Sequence, residues 1–418
     1  MKVGGAAVPP PLQSYDEALG WLYSLQRFGI KLGLENAERL MAEVPLDLQR
    51  TRVVHVAGTN GKGSVCAMVD AICRMAGYST GLFTSPHLVS FRERIRLNRE
   101  MISHAAVADG LTHLRERVAG WDPHPTFFEL ATALALQHFA DAKCDIIVLE
   151  TGMGGRLDAT NVVPSNVAVI TPIALDHQAW LGQTVREIAA EKAGIIKANI
   201  PVISARQSPE AADVIRVRAV ACHSPLTFVE ESYEASPIAL RGAHQKENAA
   251  LAVAAIRAAG ISVEEKDVVR GLASVEWPAR FQRWDERIIV DGAHNPAAMA
   301  VLAKTWREMF GEERATVILA VLSDKDAGAI GQTLAPVSDF VILPKIRSAR
   351  ALPPDNLAQV LSSITPELQY SITPSIAEAL AAACARPNPI LITGSLHFAG
   401  EALSHLRGEP AAFEECAQ

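Results

Sequence analysis

Short apolar runs alternate with helical patterns between Arg52 and Val202, and this alternation constrains the fold more than any other feature of the sequence. In the helical segments, apolar positions recur at three and four residues. Strands that alternate with helices in this way form crossover units and a mostly parallel sheet covered on both faces. We therefore predict an α/β nucleotide-binding architecture. Its predicted strands are Val53–Ala57, Thr80–Phe83, Ile146–Glu150, Val167–Ile170 and Pro201–Ser204, with helices that include Gly63–Met75 and Glu129–Ala140.

The alternation restarts after Trp277 and Pro278, which interrupt the pattern. A chain of 418 residues is too long for one ordinary core, and the last ~130 residues are long enough to fold alone. We predict a larger domain at residues 1–283, which includes a helix at Glu247–Ala259, and a smaller α/β domain at residues 284–418. The predicted strands of the smaller domain are Ile288–Asp291, Thr316–Val321, Phe340–Leu343 and Ile390–Thr393, and its helices start near Pro296, Ala327, Pro354 and Ser375.

The charge balance argues against a large polyanion as the partner. The formal net charge is -7, so the chain lacks the basic surface expected for nucleic acid or an anionic membrane. Its 6 cysteines are scattered without a C-x-x-C pair, which fits a reducing compartment. The first residues contain Gly and Pro in place of a secretory apolar region, and no segment is long enough for a membrane span. We expect a cytoplasmic protein that binds neither nucleic acid nor membrane.

A glycine-rich loop follows the first predicted strand, where the sequence from Val53 to Ser64 reads V-V-H-V-A-G-T-N-G-K-G-S. Glycines let backbone N–H groups close on phosphate oxygens, the helix N-terminus adds partial positive charge, and Lys62 can reach the β and γ phosphates. The loop departs from the general P-loop pattern because Gly63 separates Lys62 from Ser64. The alternative is a glycine turn without a binding role, but the strand, the lysine and the hydroxyl together favour a nucleoside triphosphate site. The candidate ATP-binding residues of this loop are Thr59, Asn60, Gly61, Lys62, Gly63 and Ser64.

A second predicted strand, Ile146–Glu150, ends on a carboxylate and is followed by another glycine-rich loop. Ligands of parallel sheets gather at the carboxyl ends of strands, so Glu150 is expected to face the same crevice as the phosphate loop and to hold Mg²⁺ there. A glutamate that caps a helix is an equally good explanation of Glu150 taken alone.

Several motifs together resemble folylpolyglutamate synthases of the Mur-ligase superfamily. They are G-T-N-G-K-G-S at the phosphate loop, L-E-x-G-x-G-G-R-L-D-A-T-N starting at Leu149, A-L-D-H at His177 and E-K-A-G-I at Lys192. The resemblance extends from about Ser14 to His397. It implies a Mur-ligase-like central P-loop domain with a smaller C-terminal α/β domain. It also implies ATP-dependent ligation of L-glutamate to folates, and to dihydropteroate in bifunctional members.

In that family the glutamate at Glu150 and the serine at Ser85 hold one magnesium ion, and the histidine at His177 holds a second. The lysine at Lys192 is carbamylated in the superfamily, which makes it an oxygen ligand for the second ion. Taken alone, His177 is more simply a hydrogen-bonded structural residue, and Lys192 a charge near the end of a helix. The resemblance thus implies two Mg²⁺ ions with ATP as co-substrate, and the catalytic set Lys62, Glu150, His177 and Lys192.

Three further elements resemble the family's second nucleotide-binding layer. Asn248 lies in H-Q-x-x-N-A-A, Arg280 in P-A-R-F and Asp291 in D-G-A-H-N-P, and each implies an ATP contact. Each motif alone fits an ordinary helix start or strand end. The segments Leu322–Asp326 and Thr393–His397 resemble elements that we assign to glutamate binding or to closure between the domains.

The pterin pocket of bifunctional members is matched in part. Thr126 and Phe128, together with Leu157, Asp158 and Ala159, match its pterin-binding segments, whereas a core aromatic at a helix start explains Phe128 equally well.

The segment Gly29–Asn36 departs from the family pattern, because Lys31 and Asn36 replace its Asp and Arg. This departure bears on whether dihydropteroate is accepted as well as folate.

The resemblance implies that a substrate carboxylate attacks the γ phosphate and that the amine of L-glutamate then displaces phosphate from the acyl phosphate. No protein nucleophile is expected. A peptidoglycan-type Mur ligase is the alternative enzyme, but it needs a further domain before the phosphate loop. A nucleotide-binding switch without ligase activity is the alternative of another class. A monomer is expected.

Overall fold

The computed structural model describes residues 10–28 and 33–415. Lys31 lies outside the described residues, so the structure does not bear on its expected role. Within the described ranges the α-helices are α1 Tyr15–Ser24, α2 Glu35–Met41, α3 Lys62–Met75, α4 His104–Arg117, α5 Phe127–Asp141, α6 Gln178–Leu181, α7 Val185–Ala193, α8 Pro209–Ala221, α9 Ala243–Ala258, α10 Glu265–Ser274, α11 Pro296–Phe310, α12 Ala327–Leu334, α13 Pro354–Ile364, α14 Ile376–Cys384 and α15 Leu396–Leu406.

A sheet of 8 strands forms the centre of the larger half, in the order β4-β3-β2-β5-β1-β6-β7-β8. All neighbours are parallel except at one edge, where β3 runs antiparallel to both β2 and β4. Val56 of β1 pairs with Glu150 of β5, so the carboxylate lies beside the start of the phosphate loop. The strands are β1 Arg52–Ala57, β2 Thr80–Phe83, β3 Ile95–Leu97, β4 Glu100–Met101, β5 Ile146–Glu150, β6 Val167–Ile170, β7 Val202–Ala205 and β8 Leu226–Val229.

Helices cover both faces of this sheet because its central strands are apolar on both sides. Val54 and Val56 of β1 pack with α3, α9 and α10 on one face. Val53 packs with α1, α4 and α5 on the other, and Ala57 packs there with α7 and α8. The period of two along the strand therefore delivers apolar side chains to both helical layers.

The smaller half is a sheet of 6 strands in the order β13-β12-β11-β14-β10-β9, parallel except for the pair β9 and β10. Helices α11, α12 and α13 cover one face, and α14 and α15 cover the other. These strands are β9 Gln282–Arg283, β10 Ile288–Val290, β11 Ala315–Leu319, β12 Ser338–Pro344, β13 Tyr370–Thr373 and β14 Ile390–Thr393.

The predicted fold class, with two mostly parallel sheets covered by helices, is confirmed. Some element bounds were wrong. The helix predicted at Glu247–Ala259 begins one turn earlier, at Ala243. The predicted strands missed β3, β4 and the half-exposed β8 in the larger sheet, and β9 and β13 in the smaller one. β9 already belongs to the second sheet although it precedes residue 284, and the division at residues 283 and 284 stays a prediction. None of the helices in the described ranges has both the length and the apolar character needed to cross a bilayer.

Candidate active site

One cavity of about 1210 Å³ lies between the two halves of the chain. Its walls come from the segments that follow the carboxyl ends of β1, β5 and β6 in the larger sheet and of β10, β11 and β14 in the smaller one. Its volume exceeds the ~300–1,000 Å³ of a pocket for one small ligand. The cavity brings together every residue that the sequence predicted for the site: Thr59, Asn60, Gly61, Lys62, Gly63, Ser64, Ser85, Thr126, Phe128, Glu150, Leu157, Asp158, Ala159, His177, Lys192, Asn248, Arg280 and Asp291.

The phosphate loop connects β1 to α3 by a tight turn. Gly58 and Gly61 have φ of 150° and 87°, a region that favours glycine. A Cβ on Gly58 would overlap the hydroxyl of Thr171, and one on Gly61 would lie 2.7 Å from Oδ1 of Asn248. The Lys62 amine donates to the carbonyl oxygens of Gly58 at 3.2 Å and Thr59 at 3.3 Å, so it lies folded over the loop.

The third loop glycine, Gly63, allows an aromatic ring to pack against the loop. A Cβ on Gly63 would lie 2.6 Å from Nε1 of Trp277, in the segment that leads into the second half. The close approach of this indole gives a physical reason for the departure from the general P-loop pattern.

Replacing Gly63 by alanine is expected to weaken ATP binding about tenfold, or ~1.4 kcal/mol, because the added methyl group displaces either Trp277 or the loop. Calorimetric titration with MgATP would measure the change. Gly20→Ala in α1 is the matched control, since a Cβ there meets nothing within 4 Å. Equal affinity in the wild type and the Gly63→Ala variant would contradict the packing role.

Glu150 and Ser85 face the same part of the cavity. The Ser85 backbone N–H donates to Oε2 of Glu150 at 3.2 Å, and the Glu150 side chain is buried. Burial raises the pKa of Glu150, although the nearby Lys62 charge and the Ser85 N–H oppose the rise. A buried carboxylate and a hydroxyl beside a phosphate loop are the hard oxygen donors that Mg²⁺ prefers.

His177 and Lys192 lie on the opposite side of the phosphate loop from β5. The side chain of His177 is exposed to the open cavity, and partial desolvation by the cavity walls lowers its pKa, which favours the neutral imidazole. Burial, followed by the charge of Lys62, lowers the pKa of Lys192 to about 7. The Lys192 amine donates to the Gly58 carbonyl at 2.8 Å, which places it directly beneath the loop.

Asp176 joins the two halves of the chain at this cavity. Its carboxylate accepts from the Lys325 amine at 2.6 Å and from the Asn295 amide at 3.1 Å. Burial would raise the pKa of Asp176, but the hydrogen bond and charge of His294, with the charges of His177 and Lys325, hold it well below its usual range. The sequence had singled out only the next residue, His177, and did not predict this contact.

The predicted second nucleotide layer is connected by hydrogen bonds. Asp291 accepts from the backbone N–H groups of Phe281 at 2.7 Å and Ala293 at 2.8 Å, which ties the P-A-R-F and D-G-A-H-N-P segments together. Arg280 donates to the Ala279 carbonyl at 2.9 Å. Asn248 donates to Gln245 at 3.0 Å in the first turns of α9.

Comparison with known proteins identifies the family. The Mur ligase middle domain matches residues 56–203, and the Mur ligase glutamate ligase domain matches residues 279–396. The dihydrofolate synthase/folylpolyglutamate synthase of Bacillus subtilis is 33% identical over 428 residues, which cover 94% of this chain and 99% of that relative. The chain belongs to the folylpolyglutamate synthase/dihydrofolate synthase family. It is therefore an ATP-dependent acid–amino-acid ligase.

Solved structures of this family agree with the whole fold. The Escherichia coli FolC in complex with DHPP and ADP superposes with a TM-score of 0.84 at 32% identity, covering 96% of this chain and 99% of that one. The bifunctional folylpolyglutamate synthase/dihydrofolate synthase of Yersinia pestis, complexed with AMPPNP and Mn ion, gives 0.85 at 28% identity, covering 96% and 100%.

The segments predicted to bind the pterin form one wall of the cavity. Thr126 starts α5 through a capping box with Glu129. Phe128 lies in the first turn, where its ring packs against Gly152 so closely that a Cβ on Gly152 would lie 2.5 Å from Cζ. Phe128 thus lines the cavity and also contacts the core, with its ring 5.7 Å from that of Phe83.

Asp158 organises the loop after β5. Its carboxylate accepts from the backbone N–H groups of Gly152 at 2.8 Å and Met153 at 2.9 Å, and from the Thr160 hydroxyl at 2.5 Å. Thr160 also pairs with Nε2 of the buried His55 at 2.8 Å. Because the Thr160 proton goes to Asp158, His55 donates to Thr160. Asp158 was predicted to bind the pterin, whereas no local pattern of residues predicted this buried network.

Proposed function

We propose that the chain ligates L-glutamate to folates and also to dihydropteroate, in one site and through an acyl phosphate. The observation that carries the proposal is that the phosphate loop, Glu150 and the predicted pterin segments line the same cavity. The Escherichia coli relative binds DHPP together with ADP, which supports a cavity that holds a nucleotide and a second ligand side by side here.

The residues present fit a divalent metal with ATP. Ser85 and Glu150 supply two hard oxygen donors, and the neutral His177 imidazole supplies a nitrogen for a second ion. No group of three or more His, Cys, Asp or Glu side chains suited to a metal occurs in the described part of the chain. Sparse protein ligands are typical of Mg²⁺, which keeps several waters and binds through substrate phosphates. When bound, Mg²⁺ would neutralise charge on the transferring phosphoryl group.

The chain's own residues position the reactants. Backbone N–H groups of the phosphate loop and the Lys62 amine hold the phosphates. Arg280 lines the same cavity, and its positive charge lies close enough to Glu150 to lower the pKa of that carboxyl. A substrate carboxylate attacks the γ phosphorus, ADP leaves and an acyl phosphate forms. The amine of L-glutamate then attacks the acyl carbon, phosphate leaves, and the amine loses its proton.

Lys192 is proposed to carry a carbamate. Its amine is buried, is 2.8 Å from the Gly58 carbonyl and has no acidic hydrogen-bond partner among the described contacts. An amine whose pKa is lowered to about 7 is largely neutral at slightly alkaline pH, the form that adds CO₂. The carbamate would place an anionic oxygen near His177.

L-Glutamate is proposed to bind against the smaller half. Lys325 and His294 supply positive or hydrogen-bonding groups at the cavity, and Ser395 and His397 line the same wall. The Lys325 amine already binds a carboxylate, that of Asp176, in the described structure. A monomeric state, a cytoplasmic location and the absence of nucleic-acid binding stay predictions.

Release of ADP by the purified protein with MgATP and L-glutamate tests the choice of acceptor. Release with both 7,8-dihydropteroate and tetrahydrofolate is expected. Release with tetrahydrofolate alone would contradict the dihydrofolate synthase activity. It would also indicate that Lys31, which replaces the Asp of the family pattern, contributes to acceptor specificity. Release with neither acceptor would overturn the substrate assignment.

A further inference from the structure

A segment that contains none of the family motifs comes from the far end of the described chain and contacts the loop that carries Ser85, one of the candidate metal residues. Residues 409–415 follow α15 and return from the smaller half to the larger one. There they meet the connection that follows β2, which we call the serine loop, residues 84–90. The serine loop contains Ser85, and Glu414 is the residue that contacts it.

The main chain of Glu414 pairs with the serine loop on both sides. Its N–H donates to the Val89 carbonyl at 2.8 Å. Its carbonyl accepts from Nε2 of His87 at 3.4 Å, because Nδ1 of that imidazole accepts from the Arg94 guanidinium at 2.8 Å. His87 lies two residues after Ser85, so the contact is close to the candidate metal residue.

The side chain of Glu414 accepts hydrogen bonds from three donors in the larger half. Its carboxylate accepts from the Phe91 N–H at 2.5 Å, from the Ser90 hydroxyl at 3.2 Å and from the Tyr15 hydroxyl at 3.0 Å. Hydrogen bonds from backbone N–H to an ionised carboxylate are roughly twice as strong as neutral ones. One side chain thus connects α1, the serine loop and the turn that starts at Phe91.

A second carboxylate completes the set of bonds on this backbone. Glu93 accepts from the N–H groups of Leu88 at 2.8 Å, Val89 at 3.2 Å and Ser90 at 3.3 Å. The four consecutive N–H groups of residues 88–91 are therefore bound by two carboxylates. Glu93 comes from the same segment, whereas Glu414 comes from the other half of the molecule.

Packing fixes the direction from which Glu414 arrives. Phe413, the preceding residue, is buried and meets the His397 ring edge-on at 5.0 Å. Gly400 of α15 lies so close to the serine loop that a Cβ there would overlap the Leu88 carbonyl. The smaller half therefore contacts the serine loop at two places, through α15 and through Glu414.

We propose that Glu414 is a positioning residue for the metal site. It holds the serine loop so that the Ser85 hydroxyl stays beside Glu150, whose Oε2 accepts from the Ser85 N–H at 3.2 Å. The inference rests on the proposed function, in which Ser85 and Glu150 bind Mg²⁺. Residues that orient metal ligands typically change metal affinity 10–100-fold when they are replaced.

The test titrates Mg²⁺ into protein with AMPPNP, without acceptor or glutamate, and follows nucleotide binding by calorimetry. Glu414→Ala is expected to raise the Mg²⁺ concentration needed for half-maximal binding about tenfold, and Glu414→Gln about threefold, because glutamine keeps one acceptor. Glu415→Ala is the matched control and is expected to change it less than twofold, since Glu415 accepts from Ala349 at 3.3 Å within the smaller half. Thermal melts would establish that the variants are folded.

An unchanged Mg²⁺ requirement in folded Glu414→Ala would overturn the positioning role and leave the proposed function intact. If Glu414→Ala does not fold, the Mg²⁺ requirement of Glu414→Gln is the test, and an unchanged requirement would again overturn the positioning role. Nucleotide binding by the wild type that does not depend on Mg²⁺ would overturn the metal assignment itself, and with it the role of Glu414.

Discussion

Replacing Glu150 by glutamine is expected to lower kcat/KM on the order of a thousandfold, or ~4 kcal/mol of transition-state stabilisation. Glutamine has nearly the same shape, so the bond from the Ser85 N–H to a side-chain oxygen can persist. The negative charge proposed to hold Mg²⁺ beside the phosphate loop is lost. Steady-state ADP release with folate and L-glutamate as co-substrates would measure the effect.

Asp145→Asn provides the control for this charge removal. Asp145 immediately precedes β5, so it lies at the opposite end of the strand from Glu150, where its carboxylate accepts from the Ser79 N–H at 3.0 Å. Its replacement should leave kcat/KM within about twofold. Comparable activity of Glu150→Gln and Asp145→Asn would remove Glu150 from the catalytic set.

Replacing Lys192 by alanine is expected to reduce turnover at least about a hundredfold, because the carbamate oxygen proposed to help hold the second metal is removed. Alanine also leaves a space beneath the phosphate loop. A short carboxylate such as acetate, added at high concentration, should restore part of the activity by placing an anionic oxygen in that space. Intact-mass measurement at neutral pH should detect one CO₂ on the wild type and none on Lys192→Ala.

Lys197→Ala is the control that distinguishes the proposed carbamate role of Lys192 from the loss of any partly buried lysine amine. The Lys197 amine donates to the Val163 carbonyl at 3.0 Å, and Lys197 does not line the cavity. The Lys197→Ala variant should retain activity, and added acetate should not change that activity. Unchanged ATP consumption by Lys192→Ala would refute the assigned role, and loss without rescue would show that the amine acts by packing alone.

Most strands of the larger sheet could be predicted because each is a local pattern of apolar residues in the sequence. Strands β2, β5 and β6 occur at the residues expected, since a parallel strand buried on both faces is a continuous apolar run. The strand-end positions of Glu150 and of the phosphate loop follow from the same register. Glycines marked the turns in which positive φ is required, at Gly58 and Gly61.

Short strands and long-range contacts could not be predicted in this way. β3 and β4 have 3 and 2 residues, too few for any periodicity to appear. The bond between Asp176 and Lys325 joins residues 149 apart in the chain, and Glu414 meets Phe91 across 323 residues. Such pairs depend on how the two halves pack, which no local pattern of residues records.

The most direct test of the account follows oxygen from the acceptor to phosphate. Folate acceptor labelled with ¹⁸O in its reacting carboxylate is incubated with MgATP, L-glutamate and the enzyme, and the released phosphate is analysed by mass spectrometry. Transfer of one ¹⁸O to each phosphate, together with an amide product that contains one more glutamate, is the predicted result. Phosphate without label, or ADP release without an amide product, would contradict ligation through an acyl phosphate.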